Sequence, residues 1–159
     1  MIRIFGGTSG KDIPPEKLYQ NTVANINEAL KYAETRGVIL GLENHDRMQD
    51  IDELLRVVKA IESKNFGVFL DSGNLRPSVD PYAQLARIAP YAVSVQAKTV
   101  VPFMEKKEPT DFDRLLKTLH DGGYAGYVVL EYEEKEDPMT AIPRHIAQIR
   151  AAIRKIDEV

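Results

Sequence analysis

Four residues in this chain carry the chemistry that its spacing suggests. Glu43, Asp71, Gln96 and Glu131 each stand directly after four or five apolar residues, in the runs VILGL, FGVFL, AVSV and YVVL. An acid in such a place reads, taken singly, as a helix N-cap or a solvated loop residue; the coincidence of four points instead to one site. Three carboxylates brought together repel one another unless a cation neutralises them. A hard divalent ion with oxygen ligands suits three carboxylates and one amide. Around them lie secondary candidates. Lys98 has the strand parity of Gln96, so it either reaches into the site, to hold an oxyanion or a phosphate, or snorkels to the surface. Asn74 is either a turn residue in Ser72-Gly73-Asn74 or a partner for a substrate hydroxyl, and His45 is a loop or supporting histidine beside Glu43. Arg3 is a candidate to face the site from the first strand, and Thr8, Ser9 and Lys11 form a small polar loop.

The elements that must position these residues alternate regularly. Apolar runs at residues 2–5, 38–42, 66–70, 92–95 and 127–130 read as strands, and continuously apolar runs suit strands covered on both faces, as in parallel sheets. Between them the apolar residues recur at helical spacing. Pro14-Pro15 opens the first helix, expected over residues 15–36, and Gly37 sits where a C-cap glycine belongs. Asp50 with Glu53 makes a capping box, Asp80-Pro81 an N-cap with proline at N1, and Thr110 the cap of a fourth helix. The last helix is expected over residues 138–156, starting near Pro143 or kinking there. Five strand–helix units in one domain, residues 1–159, predict an α/β fold with a parallel sheet, either open and doubly wound or a (β/α) barrel. In such folds the C-terminal ends of the strands form the functional face.

Composition excludes several classes. The formal net charge is −3, with charges mixed along the chain, so there is no basic footprint for nucleic acid. The absence of cysteine removes disulfide and thiolate chemistry. No apolar stretch is long enough to span a bilayer and the start carries no secretory pattern, from which a cytoplasmic location follows. No glycine-rich nucleotide loop follows any strand.

The segments GVILGLENH, GVFLDSGN, YAVSVQAK and GYAGYVVLEYE, with RIFGG near the start, resemble in order and spacing the sugar phosphate isomerase/epimerase family. That family has the xylose-isomerase-like TIM barrel and also gave rise to family-two apurinic endonucleases. The resemblance implies an incomplete TIM barrel, its C-terminal part of about five βα units, with a divalent metal, Mn²⁺ or Mg²⁺ ahead of Co²⁺ or Zn²⁺, held by Glu43, Asp71, Gln96 and Glu131. Two positions depart from the family pattern: Gln96 stands where the third ligand is usually histidine, and Asn74 where many relatives place a substrate-contacting histidine. The implied reaction is isomerisation or epimerisation of a sugar or sugar phosphate through an enediolate, with Glu43 and Glu131 exchanging the proton and Asn74, Lys98 and His45 contacting substrate. A dehydratase would use the same parts. Endonuclease chemistry relies on a histidine-rich zinc site, and this chain has three histidines. A whole barrel has eight units and about 250 residues. Five units leave strand edges and an apolar face open, which predicts a homodimer or higher self-association. The competing expectation is a truncated relative that acts as a binding or structural protein without turnover.

Overall fold

The computed structural model describes residues 1–8 and 12–157. Ser9 and Lys11 of the expected polar loop lie outside the described residues. The elements are β1 (Ile2–Ile4), α1 (Pro15–Thr35), β2 (Leu40–Glu43), α2 (Ile51–Lys59), β3 (Phe66–Asp71), α3 (Pro81–Ile88), β4 (Ala92–Lys98), β5 (Val100–Phe103), β6 (Lys106–Pro109), α4 (Phe112–Asp121), β7 (Val128–Glu131) and α5 (Pro138–Asp157). Strands β1, β2, β3, β4 and β7 pair in that order, all parallel. The sheet curves into a half-barrel with the helices outside it, as the fivefold alternation requires.

The register assigns the two faces. Leu40, Leu42, Val68, Leu70, Val95 and Ala97 point outward and are buried against α2, α3 and α4 in the main core, with Leu54, Leu85, Ile88 and Leu115 among their partners. Residues of the other parity line the concave face. Close approach needs glycine there: a Cβ on Gly67 would fall 2.4 Å from Val93 Cγ1 and 2.6 Å from the Tyr91 carbonyl oxygen.

Local signals explain most element ends. Asp50 accepts from the N–H groups of Asp52 and Glu53, and Asp80 from those of Tyr82 and Ala83, each satisfying donors that a helix start leaves unpaired. The capping box at Asp50 is only half made, because the Glu53 carboxylate turns to Arg47 instead of back to the cap. Gly37, at φ 62°, ends α1 with Val38 N–H on Ala33 O and Gly37 N–H on Glu34 O.

The structure departs from or adds to expectation at three places. Asp111, not Thr110, caps α4: Asp111 accepts from Arg114 N–H, while the Thr110 hydroxyl donates to Lys98 O at 2.7 Å. Helix α5 starts at Pro138, in line with the expected 138–156 span, and runs through Pro143 rather than beginning there, because the proline's missing N–H costs a single bond near the exposed first turn. Between β4 and α4 the chain makes an unforeseen antiparallel hairpin, β5–β6, turning at Met104 and Glu105 with φ of 47° and 62°. Its outer strand, KKEP, is exposed throughout, so no apolar alternation marks it.

Candidate functional site

Pairing register carries the polar residues to one place. Glu43 pairs with Phe69, Asp71 with Gln96, and Lys98 with Glu131, all of concave-face parity. Between Val68 and Phe69 the β3–β4 register shifts by one residue, because Val68 faces Ala92 whereas Phe69 faces Ser94. Without that shift Asp71 would lie opposite Val95, and the two strands would present their polar ends to different sides. Glu43, Asp71 and Glu131 are the final residues of their strands. Gln96 is not terminal, since β4 continues for two residues to Lys98.

The side chains converge in a hydrogen-bonded cluster. Gln96 Nε2 donates to Asp71 Oδ2 at 2.7 Å and to Glu131 Oε2. Asn74 Nδ2 donates to Asp71 Oδ2 at 3.0 Å and to Glu43 Oε1 at 3.1 Å. The Gly73 N–H donates to Asp71 Oδ1 at 2.7 Å. Lys98 Nζ lies 2.7 Å from Glu131 Oε2, 2.7 Å from Glu133 Oε2 and 3.7 Å from Asp71 Oδ2. Arg3 enters from β1: its Nε is 3.4 Å from Glu43 Oε2, and its Nη1 donates to Gln96 Oε1 at 3.3 Å. Its guanidinium rests over the rings of Phe5 and Phe69.

Burial sets the electrostatics. Glu43 and Asp71 are buried. Desolvation pushes the Glu43 carboxyl above its usual range; Arg3 opposes the shift and Asp71 adds to it. Desolvation likewise raises Asp71, against the Gly73 N–H and the Lys98 charge, which hold it down. Burial works against the Lys98 charge, yet the bonds to Glu131 and Glu133 outweigh it and raise the ammonium above its usual value. The same contact holds Glu133 below the ordinary carboxylate range.

The donor set suits a hard divalent ion. Glu43 Oε2 is buried and has no hydrogen-bond partner; Arg3 Nε, 3.4 Å away, pairs with it only as an ion. An orphaned carboxylate oxygen of that kind is what a cation satisfies. Among the described residues, however, no three histidine, cysteine, aspartate or glutamate side chains stand ready to ligate one ion by themselves. The amides of Gln96 and Asn74 and the Lys98 ammonium hold the carboxylates instead. Reversing the Gln96 amide would turn its oxygen, now facing Arg3, toward Asp71 and Glu131. With that rotation the residues supply oxygens suited to Mg²⁺ or Mn²⁺.

The remaining candidates divide. Asn74, Lys98 and Arg3 stand inside the cluster. His45 lies at its rim, with Nδ1 3.2 Å from Asp46 Oδ2 and its ring edge-on to Phe5 at 5.4 Å. Two residues that sequence reasoning did not single out matter here. Asn44, fully buried, clamps the next strand: Oδ1 accepts from Asp71 N–H at 2.7 Å and Nδ2 donates to the carbonyls of Asp71 and Asn74 at 2.8 Å. It fixes the backbone that aims Asp71, and the ENH run held its only signal. Glu133, two residues beyond β7, is the second.

A parallel half-barrel with an acidic cluster at its strand C-termini defines an α/β-barrel protein whose site lies on the usual functional face. The family described as "Xylose isomerase-like TIM barrel" matches residues 1–156, and the chain belongs to that family. An uncharacterized protein of Methanocaldococcus jannaschii is 25% identical over 134 residues, which cover 76% of this chain and 46% of that protein. The crystal structure of a D-tagatose 3-epimerase-like protein superposes with a TM-score of 0.76 at 19% identity, covering 97% of this chain and 63% of the other. A xylose isomerase-like TIM barrel protein from Mycobacterium smegmatis, solved in complex with magnesium, superposes with a TM-score of 0.68 at 18% identity, covering 91% and 53%. These structural likenesses establish the shared fold. The chain spans about half to three-fifths of the length of the proteins it matches.

Proposed function

We propose that this chain carries the metal-binding and proton-transferring part of an isomerase or epimerase acting on a sugar or sugar phosphate. The observation that carries the reading is the buried Glu43 Oε2, without a hydrogen-bond partner, beside Asp71 in a cluster of oxygen donors at the strand C-termini. The magnesium complex of one family member and the epimerase-like description of another support the same reading. A divalent ion held by Glu43, Asp71, Gln96 and Glu131 would supply the Lewis acidity that stabilises negative charge on a carbonyl oxygen.

The chain's own residues account for the rest. Glu43 and Glu131 come from the outer two of four consecutive strands, so they flank whatever binds over Asp71 and Gln96. One carboxylate removes the proton beside the carbonyl and the other returns a proton on the opposite side. The raised Glu43 carboxyl brings its affinity for a proton closer to that exchange. Asn74 and Lys98 meet substrate oxygens, and His45 borders the entrance. The exposed Phe5 and Val129 have concave-face parity, and the free edges β1 and β7 flank that face. We include in the proposal that a second copy covers this face.

Exchange of substrate hydrogen with solvent deuterium tests the reading. A panel of ketoses and ketose phosphates is incubated with the protein and Mn²⁺ in D₂O and followed by proton NMR. Loss of the signal beside the carbonyl, abolished by chelator, is the expected result. No exchange with any member, while Mn²⁺ is demonstrably bound, would refute the catalytic reading.

A further inference from the structure

Lys98 is fixed more firmly than a solvating lysine needs. Its side chain is 13% exposed, and its stem lies across Gly73, where a Cβ would fall 2.5 Å from Lys98 Cδ and 3.0 Å from Cγ. Its backbone is pinned on both sides, by Lys98 N–H to Ser72 Oγ at 2.9 Å and by the Thr110 hydroxyl to Lys98 O at 2.7 Å. The ammonium therefore has a determined place, among Asp71, Glu131 and Glu133. The first two are carboxylates that the divalent ion would use. Glu133 is half exposed and, among the described residues, has no other ion-pair partner than Lys98.

From this arrangement we infer that Lys98 is a built-in competitor for the divalent cation, supplying charge to Asp71 and Glu131 in the ion-free site and withdrawing to Glu133 when the ion enters. The inference rests on the metal-site reading above. Its physical basis is short-range electrostatics in a partly dry site. Two cations cannot share the same carboxylate oxygens without strong repulsion, and at an effective dielectric near 20 a unit charge about 4 Å away is a substantial competitor. Glu133 provides a second anion already within hydrogen-bond distance, so withdrawal requires the ammonium to release two partners and keep the third. Ion affinity is then set by the balance of Lys98 between Glu131 and Glu133, which makes the ion readily exchangeable.

Calorimetric titration with Mn²⁺ alone, on the whole chain, tests this. Lys98→Met should bind Mn²⁺ at least about tenfold more tightly than wild type, since a neighbouring positive charge has gone. In chelator the same variant should melt at a lower temperature than wild type, because Asp71 and Glu131 then lack their counter-charge. Glu133→Gln should weaken Mn²⁺ binding in the wild-type background by removing the retreat, and should change little in the Lys98→Met background. The inference is overturned if Lys98→Met binds Mn²⁺ within about twofold of wild type or more weakly. It is overturned equally if Glu133→Gln acts alike in both backgrounds, which also decides the matter should Lys98→Met fail to fold in chelator, because Gly73→Ala then replaces it as the variant that displaces the lysine stem. Absence of Mn²⁺ binding in wild type and all variants would sink the metal-site reading together with this one.

Discussion

Replacing Glu43 by glutamine separates stability from function at one atom. Glu43 is 2% exposed, its Oε1 accepts from Asn74, and its Oε2 has no hydrogen-bond partner. A buried charged group left partly unsatisfied costs more than a neutral one, for which the penalty is about 1–3 kcal/mol. The nearby Arg3 guanidinium is 41% exposed, so its attraction returns no more than about 1 kcal/mol. Glutamine keeps the oxygen that Asn74 needs and removes the charge, but its own amide N–H then lacks an acceptor, so the net gain at neutral pH is about 1 kcal/mol. For a chain of this size that is a rise of about 2–4 °C in melting temperature. The pH dependence follows from the raised carboxyl. The folded state holds the Glu43 proton more tightly than the unfolded chain does, so this group favours folding fully below its ordinary value of 4.5, and that contribution is lost as pH rises through the raised folded value. The advantage of Glu43→Gln should therefore be absent in acid and grow toward neutrality. Saturating Mn²⁺ should reverse the order, because an ion at about one hundred times its dissociation constant stabilises wild type by about 2.7 kcal/mol. Urea unfolding at several pH values, with chelator or Mn²⁺, measures all three. A variant less stable than wild type in chelator at neutral pH would refute the orphaned-carboxylate argument.

Other perturbations probe different parts. Glu131→Gln should leave the far-ultraviolet circular dichroism spectrum unchanged and abolish metal-dependent deuterium exchange, because its carboxylate stands at the end of an edge strand and bonds to Gln96 and Lys98 of the polar cluster rather than to the apolar core. Gly67→Ala should destabilise by about 1–3 kcal/mol through overpacking, since the new methyl meets Val93 and the fixed Tyr91 carbonyl; denaturant midpoints report it. Sedimentation at micromolar concentration should give a mass above 17.9 kDa, because the free edges and concave face offer unpaired backbone and apolar surface; a concentration-independent monomer would show that neither draws a partner.

Much of this molecule is local and therefore legible. Continuously apolar runs bounded by polar residues mark the strands, because helices cover one side and the other side has barrel-interior parity, so no polar alternation is written even into the edge strands, whose Phe5 and Val129 stand exposed. Asp50, Asp80 and Gly37 mark helix ends because capping involves only neighbouring backbone groups. The same locality misleads at Thr110. Its type suits a cap, but its hydroxyl is taken by Lys98 O, a group brought near by the hairpin. That hairpin itself gives no periodic signal, since its outer strand is wholly exposed.

The chain's sequence by itself determines that four oxygen-bearing side chains follow apolar runs, and hence that they are available at one end of a parallel sheet. It does not determine that they meet. Their meeting depends on the one-residue register shift between Val68 and Phe69, which sets Asp71 opposite Gln96 rather than Val95. It depends also on Asn44 reaching across to hold the Asp71 backbone, and on the sheet curvature that brings Arg3 and Lys98 among the carboxylates. Register and curvature are sums of many weak packing terms over distant residues, and a single-residue slip reverses the direction of every side chain beyond it. For that reason the identity of the site residues is written locally, while their partners, among them Glu133 for Lys98, are decided only by the tertiary structure.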